Sequence, residues 1–222
     1  MNEQSFKSDE KQIGFLSDPN FNISSRTESR MEYGTDYFLN EIYALESEGM
    51  LSDLAVSPSL ITHFIFFGED YRENALAYIA SVLDECYKAG HLRIAISHND
   101  QELCGYAMLF VHPDPKFPKY LHKIYVKEEF RGHGLGGQIL TSLAENEPMI
   151  CLLCPSDKVS FYEKYGFHFT HPFEVPEGDN FILSKGLYSE LCVMKNYNES
   201  NEPLGAPIFF LNDRDIKNII GI

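Results

Sequence analysis

The stretch "YVKEEFRGHGLGGQIL", residues 125–140, limits this chain more than any other, because four glycines fall within six residues between an apolar run and a helical pattern. Glycine costs chain entropy on folding, so this density implies a backbone that something approaches closely. The preceding run, "KYLHKIYV" (119–126), reads as a strand, and after the glycines Leu135, Ile139, Leu140 and Leu143 share one helical face. A strand that turns through glycines into a helix gathers backbone N–H groups and the positive end of the helix dipole, which together make an anion site. The phosphate-loop pattern G-x-x-x-x-G-K-[ST] is absent, since no Lys-Ser or Lys-Thr follows. A dinucleotide-type G-x-G-x-x-G is met only loosely, and the stretch comes after a hairpin instead of opening a repeated βαβ unit. The plain alternative is a tight strand–helix turn with close packing and no ligand.

The rest of the chain places this turn in a mixed domain. Residues 1–30 mix charges, Ser and Asn without periodicity and are expected to form a polar N-terminal arm that need not be ordered. A helix is expected over Thr35–Glu48, with Phe38, Leu39, Ile42 and Leu45 on one face and Gly49 as its stop. A second helix carries the stripe Ala75, Leu76, Ile79, Val82, Leu83 and Cys86. "LRIAISH" (92–98) and "LCGYAMLFV" (103–111) read as a hairpin, and "MICLLC" (149–154) as a buried strand. "SDKVSFYEKYGF" (156–167) reads as a short helix closed by Gly166, and "HFTHPF" and "YSELCVMKN" as two closing strands. In the final 197–222, "APIFFLN" suggests one more strand and "DRDIKNIIG" a helical turn. This order predicts one α/β (α+β) domain over 31–196 with a mixed sheet, flanked by the arm and by a C-terminal extension. That last strand could extend the chain's own sheet or a neighbour's in a homodimer.

Composition narrows the partners. With 33 acidic against 18 basic residues, a formal net charge of -15 argues against nucleic acid, which needs a basic stripe. The same charge suits a cationic substrate through long-range steering, and equally suits plain solubility. No apolar run reaches membrane length and "MNEQSFKSDEKQ" lacks a signal core, so no membrane and a cytoplasmic location are expected. Five scattered cysteines do not suggest a disulfide framework. Cys151 and Cys154 are three apart on a strand, hence on opposite faces, and no metal is expected.

Read with the strand before it, Arg131-Gly132-His133-Gly134-Leu135-Gly136 resembles the acyl-CoA signature of the GNAT N-acetyltransferase superfamily, and "FYEKYGF" (161–167) resembles its Phe-Tyr-x-x-x-Gly-Phe segment. The resemblance covers about 92–195. It implies a mostly antiparallel mixed sheet flanked by helices, splayed between the strand 119–126 and "MICLLC". It further implies acetyl-CoA as co-substrate, with the pyrophosphate on the amides of residues 131–136 and the pantetheine arm along Ile124, Tyr125 and Val126. Arg131 and Lys127 would offset the phosphates, and a main-chain N–H of Val126 or a neighbour would hold the oxyanion. The family's usual Asn before the short helix is replaced by Pro155, which puts one pantetheine hydrogen bond in doubt.

Acetyl transfer to an amine requires deprotonated nitrogen, donors to the oxyanion and a proton for the departing thiolate. Tyr162, at the Tyr of the second motif, is the candidate acid, since a phenol with pKa about 10 keeps its proton at neutral pH. Its plain alternative is an apolar helix face with Val159 and Tyr165. His122 is the candidate base, with strand alternation expected to put Tyr120, His122, Ile124 and Val126 on one face. A packed or surface histidine is the alternative. The acceptor is expected to be a cationic primary amine, such as a small amine, a lysine or a peptide N-terminus, met by acidic residues such as Glu69 and Asp70 and the "EVPEGDN" loop. The competing reading is a non-catalytic acyl-CoA-binding regulatory module.

Overall fold

The computed structural model describes residues 12–15, 28–65, 68–99, 102–175, 179–188, 190–198 and 205–222. Strand β1 (Gln12–Phe15) comes first, then α1 (Glu28–Val56), the single turn α2 (Ile61–Phe64) and α3 (Glu69–Lys88). The sheet continues with β2 (Leu92–Asn99), β3 (Glu102–Phe110) and β4 (Lys119–Val126). Then follow α4 (Leu135–Asn146), β5 (Ile150–Pro155), α5 (Val159–Glu163), β6 (His168–Pro172), β7 (Leu191–Lys195) and α6 (Asp213–Ile220). Among the described residues seven strands form one mixed sheet in the order β1-β2-β3-β4-β5-β7-β6, antiparallel except for β4 beside β5.

Each face of the sheet carries its own core. On one side Ile42 and Leu54 of α1, Ile79 and Leu83 of α3 and Ile216 of α6 pack on Ile94, Tyr106 and Met108. On the other, Leu135, Ile139 and Leu143 of α4 pack on Ala107, Leu109, Leu121 and Leu152. Cys151 joins the first core and Cys154 the second, on opposite faces as their spacing requires.

Three expectations are corrected. Gly49 does not end α1, because Leu51 and Leu54 beyond it are buried. Burying two leucines, about 1.5–3 kcal/mol each, outweighs the ~1 kcal/mol cost of a helical glycine. The N-terminal arm is not without structure, since Gln12–Phe15 pairs with β2 at the sheet's edge, while 1–11 and 16–27 lie outside the described residues. "APIFFLN" is not a strand. It crosses the α1 face with Phe209 stacked on Phe110 at 4.6 Å and Phe210 against Tyr188 at 4.8 Å, held by α6. An Asn212–Asp215 capping box starts α6, and its buried Ile216 and Ile219 fix it to the core.

A fourth correction lies inside β4. Leu109 pairs with Leu121 and Met108 with Lys123, so His122 is the extra residue of a β-bulge. The bulge resets the alternation. Tyr120 and His122 face α1, whereas Ile124 and Val126 pack toward α4, so the four do not share a face.

Candidate functional site

The sheet opens along its one parallel seam. β4 and β5 pair only at Lys119–Leu121 with Ile150–Leu152, although β4 runs on to Val126 and β5 to Pro155. The closed end is stapled by Glu147, whose largely buried carboxylate pairs with Lys119 and, at 3.4 Å, with Arg93. Beyond Leu121 the edge of β4 is bare. Lys127 N–H donates to Cys104 of β3 at 3.0 Å, so by alternation the N–H and C=O of Tyr125 also face β3. Those of Ile124 and Val126 therefore face the open seam. The Val126 carbonyl does accept from that side, from Arg131 Nε at 2.9 Å.

The glycine turn lies where this seam ends. Gly132 and Gly134 have φ of +79° and +77°, a left-handed conformation that explains glycine at both positions. A Cβ at either would meet nothing within 4 Å, so the space above the turn is open. The first bond inside α4 runs from Gln138 N–H to the Gly134 carbonyl at 3.0 Å. The amides of residues 134–137 thus have no intrahelical acceptor, and the N-cap, Gly134, has no side chain to cap them. Gly137 has a different cause, since a Cβ there would run into the Tyr165 ring. An open groove of about 390 Å³ leads from Gly134 along Gln138, Thr141, Ser142 and Glu145 to Tyr165. Leu135 is core, so only its amide is available to a ligand, while Arg131 and His133 are exposed. Lys127 is engaged with Glu41 at 2.7 Å. These features fit a diphosphate-bearing ligand whose linear arm enters the seam.

The two candidate proton carriers lie on opposite faces of the sheet. Tyr162, on the short helix leaving β5, packs with the α4-side core, its ring edge-on to Phe161 at 5.1 Å and Phe167 at 6.0 Å. Burial, with Cys154 nearby, pushes its hydroxyl up to about 12. His122 faces α1, edge-on to Phe110 at 5.6 Å and Phe209 at 5.3 Å. Its Nε2 lies 3.6 Å from Glu46 Oε1, and both ring nitrogens are enclosed without a hydrogen-bond partner among the described residues.

Glu46 was not among the expected site residues. It is 1% exposed and receives the Tyr106 hydroxyl at 3.1 Å, with Lys123 Nζ at 3.6 Å. Burial alone would raise its carboxyl, yet His122, Lys123 and Tyr106 hold it below the usual range. A signal was present in the sequence, since Leu39, Ile42, Tyr43 and Glu46 fall on one helical stripe and put a charge where a core residue belongs. Of the expected acidic acceptor residues, Glu69 and Asp70 lie exposed in the first turn of α3, and 176–178 of the "EVPEGDN" loop lie outside the described residues. Among the described residues no group of His, Cys, Asp and Glu could hold a metal, and no helix is long and apolar enough to cross a membrane.

A mixed sheet opened at a parallel seam, with a glycine turn and a helix N-terminus at the opening, has room for a linear arm between two strands and free amides for an anionic group. Residues 89–169 match the family model of the acetyltransferase (GNAT) domain. No curated protein matches the sequence. Among solved structures, the chain is similar to a single-residue mutant of the SpeG spermidine N-acetyltransferase from Vibrio cholerae, at 17% identity over 54% of this chain and 72% of that one, with a TM-score of 0.43. It is also similar to the PaiA N-acetyltransferase of Thermoplasma acidophilum in complex with coenzyme A, at 18% identity, 70% and 95% coverage and a TM-score of 0.40. A GNAT family acetyltransferase from Elizabethkingia anophelis with acetyl-CoA bound gives 21%, 52% and 80%, and 0.37.

Proposed function

We propose that the protein is an acetyl-CoA-dependent N-acetyltransferase acting on a cationic primary amine. The observation that carries this reading is the seam that opens beyond Leu121, lined by the main-chain groups of Ile124 and Val126 and ending at the amides of residues 134–137. Those amides would receive the pyrophosphate, with Arg131, Gly132 and His133 around it, and the arm would lie along Ile124, Tyr125 and Val126.

Bound acetyl-CoA supplies the thioester. The chain's own groups move the protons. His122 takes one from the acceptor ammonium, which frees the nitrogen lone pair. As the C–N bond forms and the C–S bond breaks, the Val126 N–H faces the oxygen that gains charge. Tyr162 gives its proton to the departing sulfur and is restored by the second proton leaving nitrogen, so that one amide, one thiol and one net proton result. The raised Tyr162 keeps that proton available across the physiological range. A cationic acceptor is supported by the exposed Asp53 of α1 and by the net charge of -15.

The test is thiol release from acetyl-CoA against a panel of polyamines, amino sugars, lysine, peptides and neutral amines. Release with cationic amines, ahead of neutral ones, is expected. Acetyl-CoA binding without release for any amine would favour a non-catalytic acyl-CoA-binding module instead.

A further inference from the structure

The β4 bulge turns two consecutive side chains, His122 and Lys123, toward the same helix, and both meet one carboxylate. That carboxylate, Glu46, comes from the middle of α1. A fully buried charge costs several kcal/mol in desolvation unless partners compensate it. Lys123 at 3.6 Å and the Tyr106 hydroxyl at 3.1 Å are two of those partners, and the imidazole is a third, with Nε2 3.6 Å from Oε1 and both ring nitrogens enclosed. Phe110 and Phe209 hold the ring in that orientation from two sides.

We propose that Glu46 is a positioning residue that acts through His122. Its carboxylate, 3.6 Å from Nε2, favours by its charge the tautomer with hydrogen there and leaves the enclosed, unpartnered Nδ1 as the lone pair of the base. It then faces the imidazolium so formed. A carboxylate behind an imidazole does this in general by selecting tautomer and orientation without taking the proton itself. The depressed Glu46 carboxyl suits that part, since a weakly basic carboxylate stays ionised. The charged and titratable groups around the imidazole are Glu46 and Asp53 from α1, Tyr106 from β3, and Tyr120 and Lys123 from β4; Phe110 and Phe209 are apolar. The proposal rests on the acetyltransferase reading for its catalytic consequence, but not for the tautomer.

The experiment is nitrogen NMR of ¹⁵N-histidine-labelled protein, with His122 assigned by His122→Gln, alongside pH profiles of thiol release for the wild type and Glu46→Gln. The wild type is expected to show the Nε2–H tautomer at His122. Glu46→Gln should mix the tautomers, lower kcat/KM by about 10- to 100-fold, and move the acidic limb of the profile to lower pH. Glu46→Asp should restore part of the rate. A predominant Nδ1–H tautomer in the wild type would overturn the proposal even if the variants fail to fold. So would a Glu46→Gln protein with unchanged tautomer and profile. If no amine releases thiol while the tautomer still responds to Glu46, the pairing stands and the acetyltransferase reading fails.

Discussion

At the scale of single residues, Tyr162 is the group whose role can be isolated by one oxygen atom. Its hydroxyl is buried beside Cys154 and pushed up to about 12, while the ring packs on Phe161 and Phe167. Removing the hydroxyl leaves those ring contacts and deletes the proton that the proposed mechanism gives to the leaving thiolate. Tyr162→Phe is therefore expected to lower turnover by roughly 100-fold, with acetyl-CoA affinity and melting temperature close to those of the wild type. Full activity of this variant between pH 6 and 9 would remove Tyr162 from the mechanism. The motif around Tyr162 and the glycines of the turn are legible in the sequence, because each carries a local pattern. Glu46 is legible only as a misplaced charge on an apolar stripe, and nothing local says that it meets His122. That contact joins α1 to β4, elements far apart along the chain, and exists only once it has folded.

At the scale of elements, β4 has its observed bounds in the alternation of 119–126, yet alternation cannot register a bulge. One extra residue has no composition of its own, so Ile124 and Val126 fall on the face opposite to the one the period of two predicts. "APIFFLN" fails as a strand for a related reason. Its aromatic rings are individually seated, Phe209 on Phe110 and Phe210 between Phe173, Phe181 and Tyr188, which leaves no ladder to form. The seam is also a tertiary feature. It is closed at one end by Glu147, 11% exposed in its side chain, which holds Lys119 and Arg93 where β4 and β5 meet. Glu147→Gln keeps the shape and removes the charge. Losing charged hydrogen bonds of this kind costs on the order of 2 kcal/mol. For a chain of this size the melting temperature is expected to fall by about 4–8 °C, read by circular dichroism. An unchanged melt would mean that strand pairing alone closes the seam.

At the scale of the whole molecule, acidity and buried hydroxyls act together on stability at high pH. The chain already carries a formal charge of -15, so every further negative charge adds self-repulsion to the compact state. Burial pushes the hydroxyls of Tyr162 and Tyr188 up to about 12, and those of Tyr43, Tyr106 and Tyr120 higher still. Burial likewise pushes the Cys154 thiol up to about 11 and Cys151 to about 12. In the unfolded chain these groups ionise near their ordinary values, about 8.5 for thiols and 10 for tyrosines. Their folded values are raised, so their contribution is fully present below the unfolded values and is lost as pH climbs toward the folded ones. Each unit of separation is worth about 1.4 kcal/mol per group. Stability is therefore expected to decline from pH about 8.5 and steeply above pH 10. Most tyrosinate absorbance from these five residues should appear together with loss of the near-ultraviolet dichroism, not ahead of it. If they titrate smoothly near pH 10 while the dichroism persists, the two cores are open to solvent. The enclosed sheet face that holds Glu46 against His122 would then be open as well.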